Sequence, residues 1–326
     1  MPTYVEKKIS EFKAGEYIQG VFYIKDSEMK TTTTNNKYMN FTFADKTGEV
    51  NAKLWDWDED NVSRFKAGIL IKARGNVVDW QGQLQFKIDF ISKVLDSDNI
   101  KIEDYIPSAP YSGDAMYKFI VNVINEKMND DEFKKLCMFV LEENKDTLLI
   151  APAAKKNHHA VRSGLLYHTT SMLRCALTLS TIYTFLNKNL LFTGVILHDM
   201  GKMFEMKQND TGLVNEYTVE GTLLGHIIQG INYIDNIGKA LEINPEKVLL
   251  VKHMILSHHY IPEHGSPKPP AFPEAEMLHY LDILDARMYD MQQAVEGTDV
   301  GAFSDRIWSL ENRSVYKSPV IYEETI

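Results

Sequence analysis

Apolar and polar positions alternate along the first 95 residues. The runs "EYIQGVFYIKDSEM" and "YMNFTFADKTGEVNAKLWDW" keep a period of two, which predicts strands, with "DKTG" (45–48) as the turn between two of them. "AGILIKARGNVVDWQGQLQFKIDFISKV" (67–94) repeats the pattern, with "QG" (81–82) at a hairpin tip. Five short strands without a helix-length pattern predict a small closed barrel over residues 1–95. Residues 96–113 lose the alternation, gain Pro, Ser, Gly and Asp, and read as a linker. From Asp114 the period becomes helical: Asp114 is the expected N-cap, with Met116, Phe119, Ile120, Val123 and Ile124 on one face. Phe133, Leu136, Cys137 and Val140 come next at matching spacing, and further helical runs cover 162–187, 190–200, 220–241, 245–259 and 274–295. The predicted fold class is multidomain: a β barrel followed by an all-α domain over 114–326.

Composition leaves that picture standing. Apolar residues make up 44% and charged residues 25%, an ordinary globular balance that can supply two cores. No apolar run approaches the roughly 18–20 residues that span a bilayer. The N-terminal "MPTYVEKKISEFKAG" lacks the apolar core of a signal peptide, so a cytoplasmic location is expected. Cys137 and Cys175 lie in helical patterns and read as buried free thiols, in keeping with a reducing compartment. The net charge of −10 argues against a broad basic face for duplex nucleic acid, but leaves room for a groove that takes one strand.

The chemistry concentrates in the helical half. All ten histidines fall between positions 158 and 279. "ILHDMGK" (196–202) sets His198 beside Asp199 at the end of an apolar run, where an unpaired carboxylate is costly. His168 in "RSGLLYHTTSM" and His226 in "GTLLGHIIQG" sit in apolar helices, and His258 and His259 close "VLLVKHMILSHH". Asp282 and Asp285, three apart in "LHYLDILDARM", share one helical face. Taken singly, each is explained by a core histidine bonded to backbone or by a surface ion pair. Taken together, several unpaired polar groups in one core would each cost roughly 1–3 kcal/mol. A shared cation removes that cost, so Asp199 is expected to bridge metal ions and His198 to ligate one.

The series "LLYHT", "ILHDMGK", "LLGHI", "SHH", "YLDILDA" resembles the HD superfamily of metal-dependent phosphohydrolases. The resemblance places His168, His198, Asp199 and Asp282 as its defining ligands, with Asp285 as the alternative last ligand. It adds His226 and His258 or His259 as ligands of the two-metal members, hence two ions per chain, Mn first and Co, Fe, Mg or Zn as alternatives. The barrel's order of features, Gly20, "YMNFTFADKTGEVNAKLW" and "GILIKARGNV", is similar to an oligonucleotide-binding OB fold. An OB-like domain joined to an HD domain resembles the YhaM family of 3′→5′ exoribonucleases over nearly the whole chain, with "APAAKKNHHAVRSGLLYHT", "LSHHYIPEHGSPKPP" and "EAEMLHYLDILDA" as the matching stretches.

That resemblance implies phosphodiester hydrolysis on single-stranded RNA, with single-stranded DNA as a further substrate; a homo-oligomer is expected because barrel and helical faces both offer contact surface. Asp199, Lys202 and His159 are the catalytic candidates. Lys202 either touches a phosphate oxygen or is a solvated lysine at a helix end. His159 either contacts the phosphate or protonates the leaving oxygen, or has no role. Lys156 and Arg162 in "KKNHHAVRSG" and Lys268 in the proline-rich loop 260–276 are candidates to hold the strand. On the barrel, Tyr38, Trp55 and Trp80 are candidate stacking platforms. Two other readings remain: a phosphohydrolase of free nucleotides or cyclic dinucleotides, and a non-catalytic single-strand-binding protein.

Overall fold

The computed structural model describes residues 7–57, 59–155, 158–209 and 211–320. The chain divides into two compact units, one of Met1–Ser108 with Asn209–Leu213, the other of Ala109–Gln208 with Val214–Ile326.

In the first unit, β1 (Tyr17–Thr31), β2 (Lys37–Asp45), β3 (Gly48–Leu54), β4 (Leu70–Trp80) and β5 (Gln83–Lys93) close into a barrel of order β1-β2-β3-β5-β4. Only the β3–β5 pairing is parallel. The period-two pattern does what it predicts: Phe22, Phe41, Phe43 and Phe86 face inward and are fully buried, with Phe22 stacked on Phe43 at 5.5 Å. Asp45 Oδ1 accepts from the Thr47 and Gly48 amides and makes the "DKTG" turn, while Gln81 and Gly82 form the β4–β5 tip. Two expectations change. A short helix, α1 (Glu59–Arg64), interrupts the strands, and the segment read as a linker is partly packed, with Ile106 fully buried against Tyr23 and Ala44. The Tyr23 hydroxyl also accepts from Asn209 Nδ2 within this unit.

The second unit is helical: α2 (Gly113–Lys127), α3 (Asp131–Glu143), α4 (Lys145–Leu148), α5 (Gly164–Ile182), α6 (Lys188–Leu197), α7 (Lys202–Glu205), a small hairpin of β6 (Met206–Gln208) and β7 (Val214–Tyr217), then α8 (Val219–Ala240), α9 (Pro245–Ser257) and α10 (Pro273–Glu296). The N-cap of α2 is Ser112, whose hydroxyl accepts from the Ala115 amide, rather than Asp114, which lies one residue inside the helix. Every residue of α6 from Leu190 to Leu197 is buried, as an all-apolar helix requires. It packs on α3, α5, α9 and α10, so its C-terminal end is delivered to the middle of the unit. Cys137 and Cys175 are free, Cys137 fully buried with its thiol pushed up to about 12 by burial and Cys175 half-buried. No helix among the described residues is long and apolar enough to cross a membrane.

Candidate metal centre

The residues delivered by the end of α6 are His198 and Asp199. His198 is the C-cap of α6, and its Nδ1–H donates to the Val195 carbonyl at 3.0 Å, one of the acceptors a helix end leaves without a partner. The same device recurs at α9, where the C-cap His258 donates from Nδ1 to the Ile255 carbonyl at 2.8 Å. With Nδ1 committed as donor, each ring presents the lone pair of Nε2 inward. His259 is held likewise: Nδ1 donates to the His264 carbonyl at 2.7 Å, and its amide donates to Ser266 Oγ. The proline-rich loop therefore orients His259. His168, in the first turns of α5, donates from Nδ1 to Asp285 Oδ2 at 2.7 Å, and His226 Nδ1 lies 3.4 Å from Glu205 Oε1.

Two glycines make the meeting possible. Gly225 has φ +68, which breaks α8 just before His226 and re-aims that side chain. At Gly201, in "HDMGK", a Cβ would stand 2.0 Å from the His226 carbonyl oxygen, so only glycine admits the kinked α8 this close.

The inward atoms form two sets. His168, His198 and Asp282 bring ligand atoms within 4.8 Å of one another, and so do His226, His258 and His259. Asp199 lies between them: Oδ2 is 3.7 Å from His168 Nε2 and 3.4 Å from His198 Nε2, and Oδ1 is 3.6 Å from His226 Nε2 and 3.8 Å from His258 Nε2. Asp199 Oδ1, His226 Nε2 and His258 Nε2 are buried and have no hydrogen-bond partner among the described residues. Acceptors that face one another across less than 4 Å are a poor core and a good cation cage. The donor set, imidazole nitrogen and carboxylate oxygen, fits a first-row divalent ion.

Burial and neighbouring charges shift the groups of the site in different directions. Burial opposes a charged Asp199, yet Lys202, His198 and His226 hold it well below the carboxylate range. His168 is raised to about 10, burial being outweighed by Asp282 and Asp285. His258 is held well below its usual value by burial, then by His259 and His198.

The remaining predicted residues divide between this centre and its surroundings. Lys202 is 9% exposed, with Nζ 2.7 Å from Asp199 Oδ2, so the solvated alternative is corrected. Of the two acidic residues on α10, Asp282 Oδ1 is 3.3 Å from His168 Nε2, on the inward side, while Asp285 binds the far nitrogen. His159 stands with Asp285: it is 1% exposed and donates from Nε2 to Asp285 Oδ2 at 2.7 Å, on the Nδ1 side of His168. That burial and pairing count against direct contact with a phosphate. Arg162 is half-buried, Lys268 is exposed, and Lys156 lies outside the described residues. On the barrel, the register Met39↔Leu54 sets Tyr38 beside Trp55, ring centroids 4.6 Å apart and stacked, with Lys53 Nζ 5.1 Å over the Tyr38 ring. Trp55 is 46% exposed, and Trp80 stands exposed at the β4–β5 tip.

Sequence reasoning missed three participants. Glu205, which receives the His226 amide, and His279, whose Nδ1 donates to the His258 carbonyl, orient ligand-type histidines from a distance in sequence that gives no local signal. His158 was visible as the first half of "HH"; its ring lies 6.1 Å from that of His168, and burial, Lys202 and His168 push it down to about 4.

Residues 165–287 match the family model of the HD domain, so the helical unit carries one. Among solved structures, the chain is similar to the second OB-fold domain of replication protein A from Methanococcus maripaludis (19% identity over 27% of this chain and 93% of that chain, TM-score 0.23). It is similar also to the replication factor A related protein from Methanobacterium thermoautotrophicum (20%, 31% and 99%, TM-score 0.25). A third is a chain of a replication protein A heterotrimer bound to single-stranded DNA (13%, 28% and 66%, TM-score 0.22).

Proposed function

We propose that the protein is a divalent-metal-dependent phosphodiesterase that shortens single-stranded RNA from its 3′ end, and single-stranded DNA as a second substrate. One observation carries the reading: the two oxygens of one buried carboxylate, Asp199, face two separate sets of inward imidazoles in a unit that carries an HD domain. His168, His198, Asp199 and Asp282 are assigned to one ion, and Asp199, His226, His258 and His259 to a second, with manganese as the expected metal. When bound, such a pair lowers the pKa of water and offsets charge on the reacting phosphate.

The chain's own residues do the rest. Asp285 fixes the tautomer and aim of His168, and the loop carbonyl of His264 does so for His259. Lys202, kept charged by Asp199 against its burial, is the cation assigned to a non-bridging phosphate oxygen. His159 is assigned a positioning role through Asp285. The stacked Tyr38 and Trp55, with Lys53 beside them, are assigned to hold bases and backbone of a single strand. The 3′→5′ direction and the preference for RNA rest on the sequence resemblance to the YhaM family.

The test is incubation with Mn²⁺ and, separately, a 5′-labelled single-stranded oligoribonucleotide, a cyclic dinucleotide and a nucleoside triphosphate. A ladder of 5′-labelled products shortened from the 3′ end is expected, and Asp199→Asn should lower its rate by about 100-fold or more, since even outer residues of such centres are worth 10–100-fold. Turnover of the small molecules alone would replace this reading with a nucleotide phosphohydrolase. Strand binding without any turnover would leave a binding protein.

A further inference from the structure

The segment 260–272, which joins the end of α9 to the start of α10, is short of hydrogen-bond donors. Pro262, Pro267, Pro269 and Pro270 have no N–H, so few groups can tie this strap to the body. It is held at two places. Near α9, Ser266 is fully buried and its hydroxyl accepts from the His259 amide, while the His264 carbonyl accepts from His259 Nδ1. At the far end, the Ala271 amide donates to His253 Nε2 at 3.0 Å, and the half-buried His253 ring lies 5.3 Å from that of Phe272, centroid to centroid. Among the described residues, this is the one hydrogen bond that the backbone of 267–272 donates.

We propose that His253 is an acid-released latch: neutral, it fastens the far end of the strap 260–272 to α9, and once protonated it lets that end go. A backbone amide can only donate, so His253 Nε2 offers its lone pair and the ring's proton sits on Nδ1. An imidazolium has no lone pair left, and its Nε2–H would meet the Ala271 N–H, donor against donor. No neighbouring charge compensates. Lys252 of α9 is turned to Asp235 of α8 at 2.6 Å, and Glu274 in the first turn of α10 accepts from the Asn187 amide at 2.5 Å. Burial lowers the His253 pKa below its usual value, with no charged side chain adding to the shift. Among the described residues, neither a hydrogen bond nor a ring contact joins this side chain to the imidazoles of the metal centre. The inference does not depend on the hydrolysis proposed above.

Hydrogen–deuterium exchange of the full chain, read by mass spectrometry on a peptide spanning 267–272, tests it. Only Lys268, Ala271 and Phe272 carry an amide there, and of these only Ala271 is bonded, so protection reports on the latch. Corrected for the intrinsic pH dependence of exchange, protection should hold at neutral pH and fall several-fold once pH passes below the ordinary histidine value of about 6.5. His253→Gln sets a carbonyl acceptor near the place of Nε2, so its protection should not change with acidification. His253→Leu, without an acceptor, should be unprotected throughout. Protection in the original chain that persists down to about pH 4.5, or that is lost alike in the original and His253→Gln, would overturn the proposal. So would neutral-pH protection in His253→Leu equal to that of the original chain. A circular-dichroism melt of each variant guards against misfolding, and the pH series on the original chain decides without either.

Discussion

A histidine or an aspartate takes its meaning from which of its two ends is occupied. Asp282 and Asp285 share a helical face, and from sequence either could be the inward ligand. The structure separates them by atom: Asp282 faces His168 Nε2, Asp285 binds its Nδ1. Their asparagine variants should therefore differ. Asp285→Asn keeps an acceptor for His168 and should weaken Mn²⁺ affinity by about 10–100-fold, whereas Asp282→Asn removes a proposed ligand and should cost more. Isothermal titration of both variants with Mn²⁺ checks the order, and equal losses would contradict the assignment. The pair "HH" at 158–159 posed the same ambiguity. Sequence pointed to His159, but the left-handed backbone there (φ 54) turns it to Asp285. Such choices depend on hydrogen bonds made over a hundred positions away, which no local pattern records.

Elements were easier to foresee than their joints. The apolar periods placed α5, α6, α8, α9 and α10 within a few residues, because each helix must bury one face or all of it. The break in α8 at Gly225 was not foreseen, since a lone glycine in a helical pattern usually only weakens it. Gly201 and the kink depend on each other. Gly201→Ala would drive a methyl to 2.0 Å from the His226 carbonyl and push α8 away from α7. Overpacking of that kind costs about 1–3 kcal/mol. The variant should melt lower and lose Mn²⁺ affinity together, as differential scanning calorimetry with and without the ion would read; unchanged affinity would separate the kink from the centre. On the barrel, strand register sets Tyr38 against Trp55. Stacking is worth about 1–3 kcal/mol per base, so Trp55→Ala should weaken binding of a single-stranded oligoribonucleotide by about fivefold or more in fluorescence anisotropy, with a short dinucleotide cleaved as before.

At the scale of the molecule, barrel followed by helices was legible from the change of period alone. The capture of residues 209–213 by the barrel unit was not, because it joins positions nearly two hundred apart. Acid response is also a property of the whole helical unit. Asp235 on α8 is lowered to about 2 by hydrogen bonds from Lys239 and Lys252, the latter on α9. Asp130, the N-cap of α3, is lowered despite partial burial by Lys247 of α9 and by the Phe133 amide. A carboxyl with a depressed folded pKa binds fewer protons folded than unfolded, so its contribution is complete above the unfolded value near 4 and is lost as pH falls towards 2. Thermal midpoints should drop across that window, and Asp235→Asn should flatten the drop while lowering the midpoint at pH 7 slightly, its two ion pairs being partly open to solvent. An unaltered acid profile in the variant would remove Asp235 from the account.

The back-side anchoring of the imidazoles has one more consequence. Because each ring is already tied to main chain or carboxylate at its outer nitrogen, the aim of the inner nitrogens is set by the fold's own hydrogen bonds. On the proposed reading, an arriving ion would meet imidazoles already aimed at it, with little of their ordering left to accomplish. Which cation such a cage took up would accordingly depend on the supply of competing ions as well as on its donor atoms.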